Sequence, residues 1–174
     1  YLNNFHLSSE MILTRKAILK EIAGGNIKIA PFIPKHLGPA SLDLTLSDEF
    51  RIFMKGHRMT LSEGTVAEKY TRRMNLKTMT LNPGDFILAK TREKVTLPEN
   101  ICGFLSGRSR FARMGLSIDV TAFFIPPGVS NHQVLEIKNL SNYVITLKPG
   151  VRIAQLIFMR TEGNAKYRGK FENQ

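Results

Sequence analysis

The chain has 174 residues, 43% of them hydrophobic, and its 25 Lys and Arg against 14 Asp and Glu give a net charge of +11. This length and composition are typical of one globular domain and exclude a wholly disordered chain or a coiled-coil rod. The one cysteine, Cys102, excludes an internal disulfide and a zinc site built from several cysteines. The basic surplus favours a polyanionic partner, which is a nucleic acid, an anionic membrane or a phosphorylated small molecule.

Neither a membrane anchor nor a secretion signal is visible in the sequence. The longest apolar runs fall far short of the roughly 20 residues that a membrane-spanning helix needs. Residues 1–10 have neither the basic start nor the apolar stretch of a signal peptide. We therefore expect a cytoplasmic protein with no membrane partner, in which residues 1–10 are an N-terminal extension and residues 11–174 form a single domain.

The first predicted element is a short helix. Thr14 is a good N-cap for a helix over Arg15–Ala23, and Gly24 and Gly25 are typical of a helix end. The residues at helical spacing that we expect to form its apolar stripe are Ile18, Leu19 and Ile22.

Strands are predicted after the helix. Residues 41–46 alternate between apolar and polar, residues 49–54 do so more loosely, and residues 79–81 form a short apolar run before a turn. Two segments have no clear pattern. Residues 66–77 stay unassigned, and residues 110–115 fit a helical turn.

One strand–turn–strand pattern occurs twice, as L-N-P-G-D-F-I-L-A from Leu81 and as L-K-P-G-V-R-I-A-Q from Leu147. In each, proline presets the backbone of the turn. A third Pro-Gly pair lies at Pro127 and Gly128. Such turn signals between short apolar runs favour an all-β sandwich or jelly roll over an α/β sheet.

Several common catalytic motifs are absent from the sequence. Its four histidines lack the spacing of a zinc hydrolase or zinc deaminase, and it has neither a P-loop nor a G-x-G-x-x-G loop. Cys102 lies in the apolar segment 101–105, so we interpret it as a core residue rather than a nucleophile.

Two segments carry residues suited to chemistry. Residues 106–113 (S-G-R-S-R-F-A-R) gather backbone N–H groups, hydroxyls and guanidiniums that suit an oxyanion, although a solvated basic turn is the alternative. Glu136 lies in the apolar run V-L-E-I. A carboxylate there is paired, functionally perturbed or exposed on the strand face that it shares with Val134 and Lys138.

These segments, taken in order, resemble the dCTP deaminase family, which shares its fold with trimeric dUTPases. The matching strings are S-G-R-S-x-x-A-R-x-G-L from Ser106, V-T-A from Val120, P-G-x-S from Pro127 and V-L-E-I from Val134. Further strings that fit are G-P-A-S-L-D-L from Gly38, L-K-P-G…I-A-Q-L from Leu147 and Y-R-G-K-F-E-N-Q from Tyr167. The resemblance covers residues 11–174.

The resemblance implies a mainly β fold, a distorted jelly roll or β-clip, that assembles as a homotrimer with active sites between subunits. It implies that Glu136 shuttles protons while Ser109, Arg113 and the carbonyl of Ala122 hold the attacking water. The residues it implies for substrate binding are Arg108, Ser109, Arg110, Phe111, Ala112, Arg113, Val134, Leu135, Glu136, Gln155, Tyr167, Lys170 and Gln174. It also implies dCTP and dUTP as ligands, Mg²⁺ bound with the triphosphate, no zinc and no nucleic-acid partner, with dTTP as a candidate inhibitor.

The chain departs from the family pattern around this site. It reads D-V-T-A from Asp119 where the family has H-x-T-A, and Phe124 stands where Arg or Trp is frequent. Pro126 replaces the Asp of I-D-P-G or I-D-A-G, and Asn131 replaces a glycine. In the dUTPase branch that Asp activates water, so we expect hydrolysis at the α-phosphate to be weakened more than deamination.

From these residues we expect a zinc-independent hydrolase that converts dCTP into dUTP and ammonia in deoxynucleotide biosynthesis. The alternative activity is dUTP diphosphatase, alone or in a bifunctional enzyme. A catalytically silent nucleotide-binding trimer and a nucleic-acid-binding β module are less favoured alternatives, the last motivated only by the net charge.

Overall fold

The computed structural model describes residues 11–56, 58–118 and 121–169, and most of these are in strands. The helices are α1 (Arg15–Ala23) and the single turn α2 (Ser109–Ala112). The strands are β1 (Lys28–Ala30), β2 (Leu42–Phe53), β3 (Thr71–Asn75), β4 (Met79–Leu81), β5 (Phe86–Thr96), β6 (Ile101–Gly107), β7 (Leu116–Ile118), β8 (Phe124–Ile125), β9 (Ser130–Asn139), β10 (Ile145–Leu147) and β11 (Arg152–Arg160). The predicted all-β class with a short N-terminal helix is confirmed. In the described ranges, no helix is long and apolar enough to cross a membrane.

One antiparallel sheet of nine strands forms the body of the molecule. Its order is β7-β9-β5-β2-β11-β6-β8, with β1 beside β5 and β3 beside β2. The sheet curls so that the end of β6, the strand beside edge strand β8, lies against the opposite edge strand β7. A Cβ added to Gly107 of β6 would lie 3.5 Å from the Cβ of Ile118 on β7, which is an ordinary van der Waals contact. The curled sheet encloses the core, and Cys102 lies buried in it as predicted. Burial raises the pKa of the Cys102 thiol.

The two similar strand–turn–strand segments pair through their first strands only, since β2 lies between their second strands, β5 and β11. Their first strands, β4 and β10, form a separate two-stranded antiparallel sheet in which Leu81 lies opposite Ile145. The glycines of the three Pro-Gly pairs, Gly84, Gly128 and Gly150, have φ angles of 84°, 77° and 89°. Glycine is favoured in this left-handed region because it has no Cβ. The three predicted turns are therefore confirmed.

Helix α1 has the predicted bounds, but its start and its buried face differ from the prediction. The Thr14 side chain makes no capping hydrogen bond. Thr14 contributes to the start of the helix through its carbonyl, which accepts a hydrogen bond from the Ile18 N–H at 2.9 Å. Ile18 is fully buried, whereas Leu19 is exposed. The helix therefore presents a narrower apolar stripe than its spacing predicts.

Glu21 occupies the buried face of α1 in place of Leu19. Its carboxylate accepts hydrogen bonds from Arg160 at 2.6 Å and from Asn26 at 2.8 Å. The Arg160 guanidinium lowers the pKa of Glu21, although burial opposes this effect. This ion pair joins the helix to the end of β11.

The remaining sequence predictions need two changes. The strands predicted at residues 41–46 and 49–54 form one strand, β2, whose register with β5 shifts between Leu46 and Phe50. The unassigned residues 66–77 contain β3 and a turn of 3-10 helix. The predicted extension, residues 1–10, lies outside the described residues.

Gly115→Ala should lower the free energy of unfolding by about 2–5 kcal/mol, because the new Cβ meets both a strained backbone and a close neighbour. Gly115 has a φ of +81°, and an added Cβ would lie 2.7 Å from the Ser141 Cβ and 2.9 Å from its backbone nitrogen. The matched control is Gly150→Ala. Its φ is +89°, but apart from its chain neighbours no atom lies within 4 Å of the added Cβ. Urea denaturation should show a loss of only about 1–2 kcal/mol for this control. Equal losses in the two variants would contradict the tight packing on Ser141.

Candidate active site

The arginine-rich segment forms the link between β6 and β7. Backbone hydrogen bonds from the N–H of Ala112 to the Arg108 carbonyl and from the N–H of Gly115 to the Ala112 carbonyl wind it into α2 and a following turn. The predicted helical turn is confirmed, although α2 itself starts at Ser109. The side chains of Ser109, Arg110, Ala112 and Arg113 are exposed, and Phe111 packs partly against the core.

Arg108 differs from the other two arginines because its guanidinium is already paired. Its Nη2 lies 3.1 Å from Asp43 Oδ2, and its Nη1 donates to the Arg152 carbonyl at 3.0 Å. The same Asp43 oxygen accepts from Arg152 Nη1 at 3.1 Å. Burial lowers the pKa of nearby His36, and the Arg152 charge acts in the same direction. One carboxylate therefore bridges two guanidiniums at the base of the segment.

Gln155 lies on the same sheet face as this ion-pair cluster. In the register of β11 it is opposite Asp43 on one side and opposite Ser106 on the other. Its Oε1 lies 3.5 Å from the Ser41 hydroxyl. The fold thus brings together Gln155 and Arg108, two of the residues named from the resemblance. Asp43, which the sequence reasoning did not select, lies between them.

Glu136 projects from β9 on the face away from the core. Leu135 and Ile137 are fully buried, whereas Val134, Glu136 and Lys138 are half-buried, so the predicted alternation is confirmed. The Leu135 side chain faces the core, which leaves only its main chain for a ligand.

A backbone loop holds the Glu136 carboxylate. The Thr121 N–H and the Thr121 hydroxyl both donate to Glu136 Oε2, each at 2.8 Å. Two residues further on, the Phe123 carbonyl accepts a hydrogen bond from the Leu105 N–H of β6 at 2.8 Å. Ala122, whose carbonyl the resemblance implies in water binding, lies exposed between these two anchors. The loop therefore spans the distance from β9 to β6.

The structure brings some of the expected residues into contact and not others. Among the described residues, no hydrogen bond or ion pair links Glu136 to Ser109 or to Arg113. Tyr167 is half-buried, and its N–H donates to the Pro127 carbonyl at 3.0 Å. Lys170 and Gln174 lie outside the described residues.

A cleft of about 560 Å³ lies away from Glu136. It opens where β2 and β5 shift register, and both acidic and basic side chains line it, among them Glu49, Lys90 and His132. Neither Glu136 nor the segment 106–113 lines it. Of the catalytic residues implied by the resemblance, Ser109, Arg113 and Ala122 are exposed and Glu136 is half-buried.

Sequence reasoning missed Thr121 and Asp43 for different reasons. Asp43 alternates with Leu42 and Leu44 along β2, the same signal that singled out Glu136, so it could have been found. Thr121 belongs to the matched string V-T-A, but its contact with Glu136 spans 15 positions of chain, and the string does not indicate that contact.

Comparisons with known proteins agree in one family. The dCTP deaminase-like family matches residues 12–161. A protein of Nocardioides sp. named "dCTP deaminase, dUMP-forming" is 34% identical over 175 residues, covering 94% of this chain and 91% of that protein. The protein of the same name from Streptomyces griseus is 36% identical over 161 residues, covering 90% of this chain and 84% of that one.

One crystal structure has the same fold over most of the chain. It is that of 2′-deoxycytidine 5′-triphosphate deaminase from Agrobacterium tumefaciens, with a TM-score of 0.68 and 24% sequence identity. The match covers 87% of this chain and 48% of that one, so this chain spans about half the length of the matched structure.

Asp43→Asn should lower the free energy of unfolding by about 1–2 kcal/mol, because Arg108 and Arg152 lose the charge that they share. Urea denaturation measures the loss. Asp48→Asn is the matched control, since Asp48 follows on the same strand and its side chain is exposed. Equal stability of the two variants would show that the two guanidiniums do not depend on the Asp43 carboxylate.

Proposed function

Since the chain belongs to the dCTP deaminase-like family, as its motifs indicated, we propose that it hydrolyses the amino group of dCTP to give a deoxyuridine nucleotide and ammonia. The observation that carries this proposal is the state of Glu136. Its carboxylate is half-buried on a sheet face, and one of its oxygens accepts two hydrogen bonds from Thr121. Such a carboxylate is held in place and still has an oxygen with which to move protons.

In the proposed reaction Glu136 moves every proton. It takes one from a water held by the Ala122 carbonyl and the Ser109 hydroxyl, and the resulting hydroxide bonds to C4 of the cytosine ring. The proton passes to the ring nitrogen, and the second water proton passes through Glu136 to the departing ammonia. Positioning of the water by these groups supplies much of the rate enhancement. Arg113 stabilises the charge that develops on the tetrahedral intermediate.

The phosphates would bind at the arginine-rich segment. Ser109, Arg110 and Arg113 have exposed side chains next to a helical turn, and guanidiniums pair well with phosphate oxygens. Arg108 supports phosphate binding indirectly, because its ion pair with Asp43 holds the base of the arginine-rich segment in place. Tyr167, Lys170 and Gln174 are proposed to complete the site from the C-terminal segment.

Mg²⁺ is proposed to arrive with the triphosphate. Within the described part of the chain, no group of three or more His, Cys, Asp or Glu side chains could hold a metal ion, whereas phosphate oxygens are ligands that Mg²⁺ prefers. When bound, the ion would neutralise part of the phosphate charge.

A homotrimer with sites between subunits is also part of the proposal. Two observations support it. No hydrogen bond or ion pair in the described ranges joins Glu136 to Ser109 or Arg113 within one chain. Phe123 and Phe124 are 53% and 51% exposed and lie against Phe104 on the outer side of the sheet. Exposed aromatic side chains of this kind are typical of an interface.

The product is proposed to be dUTP. Pro126 has no carboxylate with which to activate water for attack on the α-phosphate. The second candidate product is dUMP, which the names of the two relatives favour. The residue at position 126 therefore decides between the two in this proposal.

Glu136→Gln should lower the rate of dCTP deamination by about 10²–10⁴-fold, the usual contribution of general acid–base catalysis. Anion-exchange chromatography of reactions with dCTP and Mg²⁺ measures the products. Glu162→Gln, at an exposed carboxylate near the end of β11, is the matched control and should keep full activity. A wild-type protein that binds dCTP but returns it unchanged would overturn the deaminase proposal in favour of a silent binding protein.

Pro126→Asp should increase the formation of dUMP and pyrophosphate from dUTP, because it restores a carboxylate at this position. The wild-type protein should leave most of the dUTP intact in the same assay. A Pro126→Asn variant, similar in size but without the charge, separates the effect of the carboxylate from that of losing proline. Efficient dUMP formation by the wild-type protein would overturn the proposed product and establish the dUMP-forming alternative.

A further inference from the structure

The two hydrogen bonds from Thr121 make the oxygens of Glu136 unequal. Oε2 accepts both the N–H and the hydroxyl of Thr121 at 2.8 Å. Among the described residues no donor reaches Oε1. A hydrogen bond to a carboxylate stabilises its negative charge, so the oxygen with two donors is the poorer place for a proton. The proton therefore goes preferentially to Oε1.

Thr121 also fixes the position of the residue that follows it. The loop is attached to β9 through Thr121 and to β6 through the hydrogen bond from the Leu105 N–H to the Phe123 carbonyl. Ala122 is the one residue between these attachments. A carbonyl in such a short span has little freedom, so its position relative to the Glu136 carboxylate depends on Thr121.

We propose that Thr121 is a positioning residue that reserves Oε1 of Glu136 for the proton and sets its distance from the Ala122 carbonyl. This inference rests on the proposed function, since it assigns atoms within the same site. Oε1 takes a proton from water as the hydroxide bonds to C4, and passes it to the ring nitrogen. Oε1 then moves the hydroxyl proton of the intermediate to the amino group. The C4–N bond breaks, ammonia leaves, and Glu136 is again a carboxylate.

Threonine suits this role because one residue supplies two donors to one oxygen. The backbone N–H remains in any variant other than proline, so side-chain substitutions remove only the hydroxyl contact. Thr121→Val keeps the shape and β-branching of the side chain without its hydroxyl. Thr121→Ser keeps the hydroxyl without the methyl group. Comparing the two variants separates the effect of the hydroxyl hydrogen bond from the effect of methyl-group packing.

The kinetic test measures kcat and KM for dCTP in the Val and Ser variants. Thr121→Val should lower kcat by about 10–100-fold, a fraction of the usual contribution of general acid–base catalysis, with KM within about threefold of wild type. Thr121→Ser should restore kcat to within about threefold of wild type, because it keeps the donor. Thr146→Val, at an exposed threonine on β10, is the matched control and should leave both constants unchanged.

A spectroscopic test follows the carboxylate without requiring turnover. Infrared difference spectra of protein labelled with ¹³C-glutamate, taken against Glu136→Gln, isolate the stretching bands of this one group. Loss of the hydroxyl donor in Thr121→Val should shift the splitting between the symmetric and antisymmetric bands. Thr121→Ser should restore the wild-type splitting.

The outcomes separate this inference from the proposed function. An unshifted splitting together with wild-type kcat in Thr121→Val would overturn the positioning role. A loss of kcat in Thr121→Ser equal to that in Thr121→Val would overturn it too, because packing rather than the hydroxyl would then be responsible. Failure of the wild-type protein to deaminate dCTP, with the Val and Ser splittings as expected, would overturn the proposed function while leaving the assignment of the oxygens intact.

Discussion

The hydrogen bonds that carry residues 121–123 from β9 to β6 are the constraint on which the candidate site depends. These residues link two strands, β9 and β6, that are not neighbours in the order of the sheet. Thr121 attaches this link to Glu136, and the Phe123 carbonyl attaches it to β6. Gly107 at the end of β6 lies close to Ile118 of β7, where an added Cβ would make an ordinary van der Waals contact at 3.5 Å. The same short loop therefore connects β9 to β6 and holds the candidate base.

A second constraint on the site is the shared ion pair that holds Arg108 and Arg152 close together. Two guanidiniums, those of Arg108 and Arg152, meet at the base of the arginine-rich segment and would repel each other without a shared anion. Asp43 supplies that anion, at 3.1 Å from both. The single charge of Asp43 offsets one of the two guanidinium charges, so the proposed attraction of phosphate comes from the remaining positive charge of this cluster together with the exposed Arg110 and Arg113. The strand motif that contains Asp43 thus supports a segment more than 60 positions further along the chain.

The sequence predicted the features that local patterns encode and missed those that depend on long-range register. The bounds of α1, the three Pro-Gly turns and the outward face of Glu136 follow from local spacing, and the structure has them. Two predicted strands form the single strand β2 because a bulge against its partner strand β5 absorbs the irregularity. Glu21 is buried because its partner Arg160, 139 positions away, pairs with it. Neither partner is visible in a window of neighbouring residues. The same limit hid the contact between Thr121 and Glu136, whereas Asp43 had a local signal that was not used.

The departures from the family pattern differ in what they affect. Asn131, which replaces a glycine, is buried on β9, and its Oδ1 accepts a hydrogen bond at 2.6 Å from Gln133 two residues along the same strand. Pro126 removes a carboxylate from the chain beyond β8. Neither change removes a group that the proposed deamination uses, because Thr121, Ala122 and Glu136 all remain. In the proposed function Glu136 moves the protons at the nucleobase, whereas water activation at a phosphate belongs to the carboxylate that Pro126 replaces. We therefore infer that the chain can lose the second carboxylate while the first keeps its position and its donors.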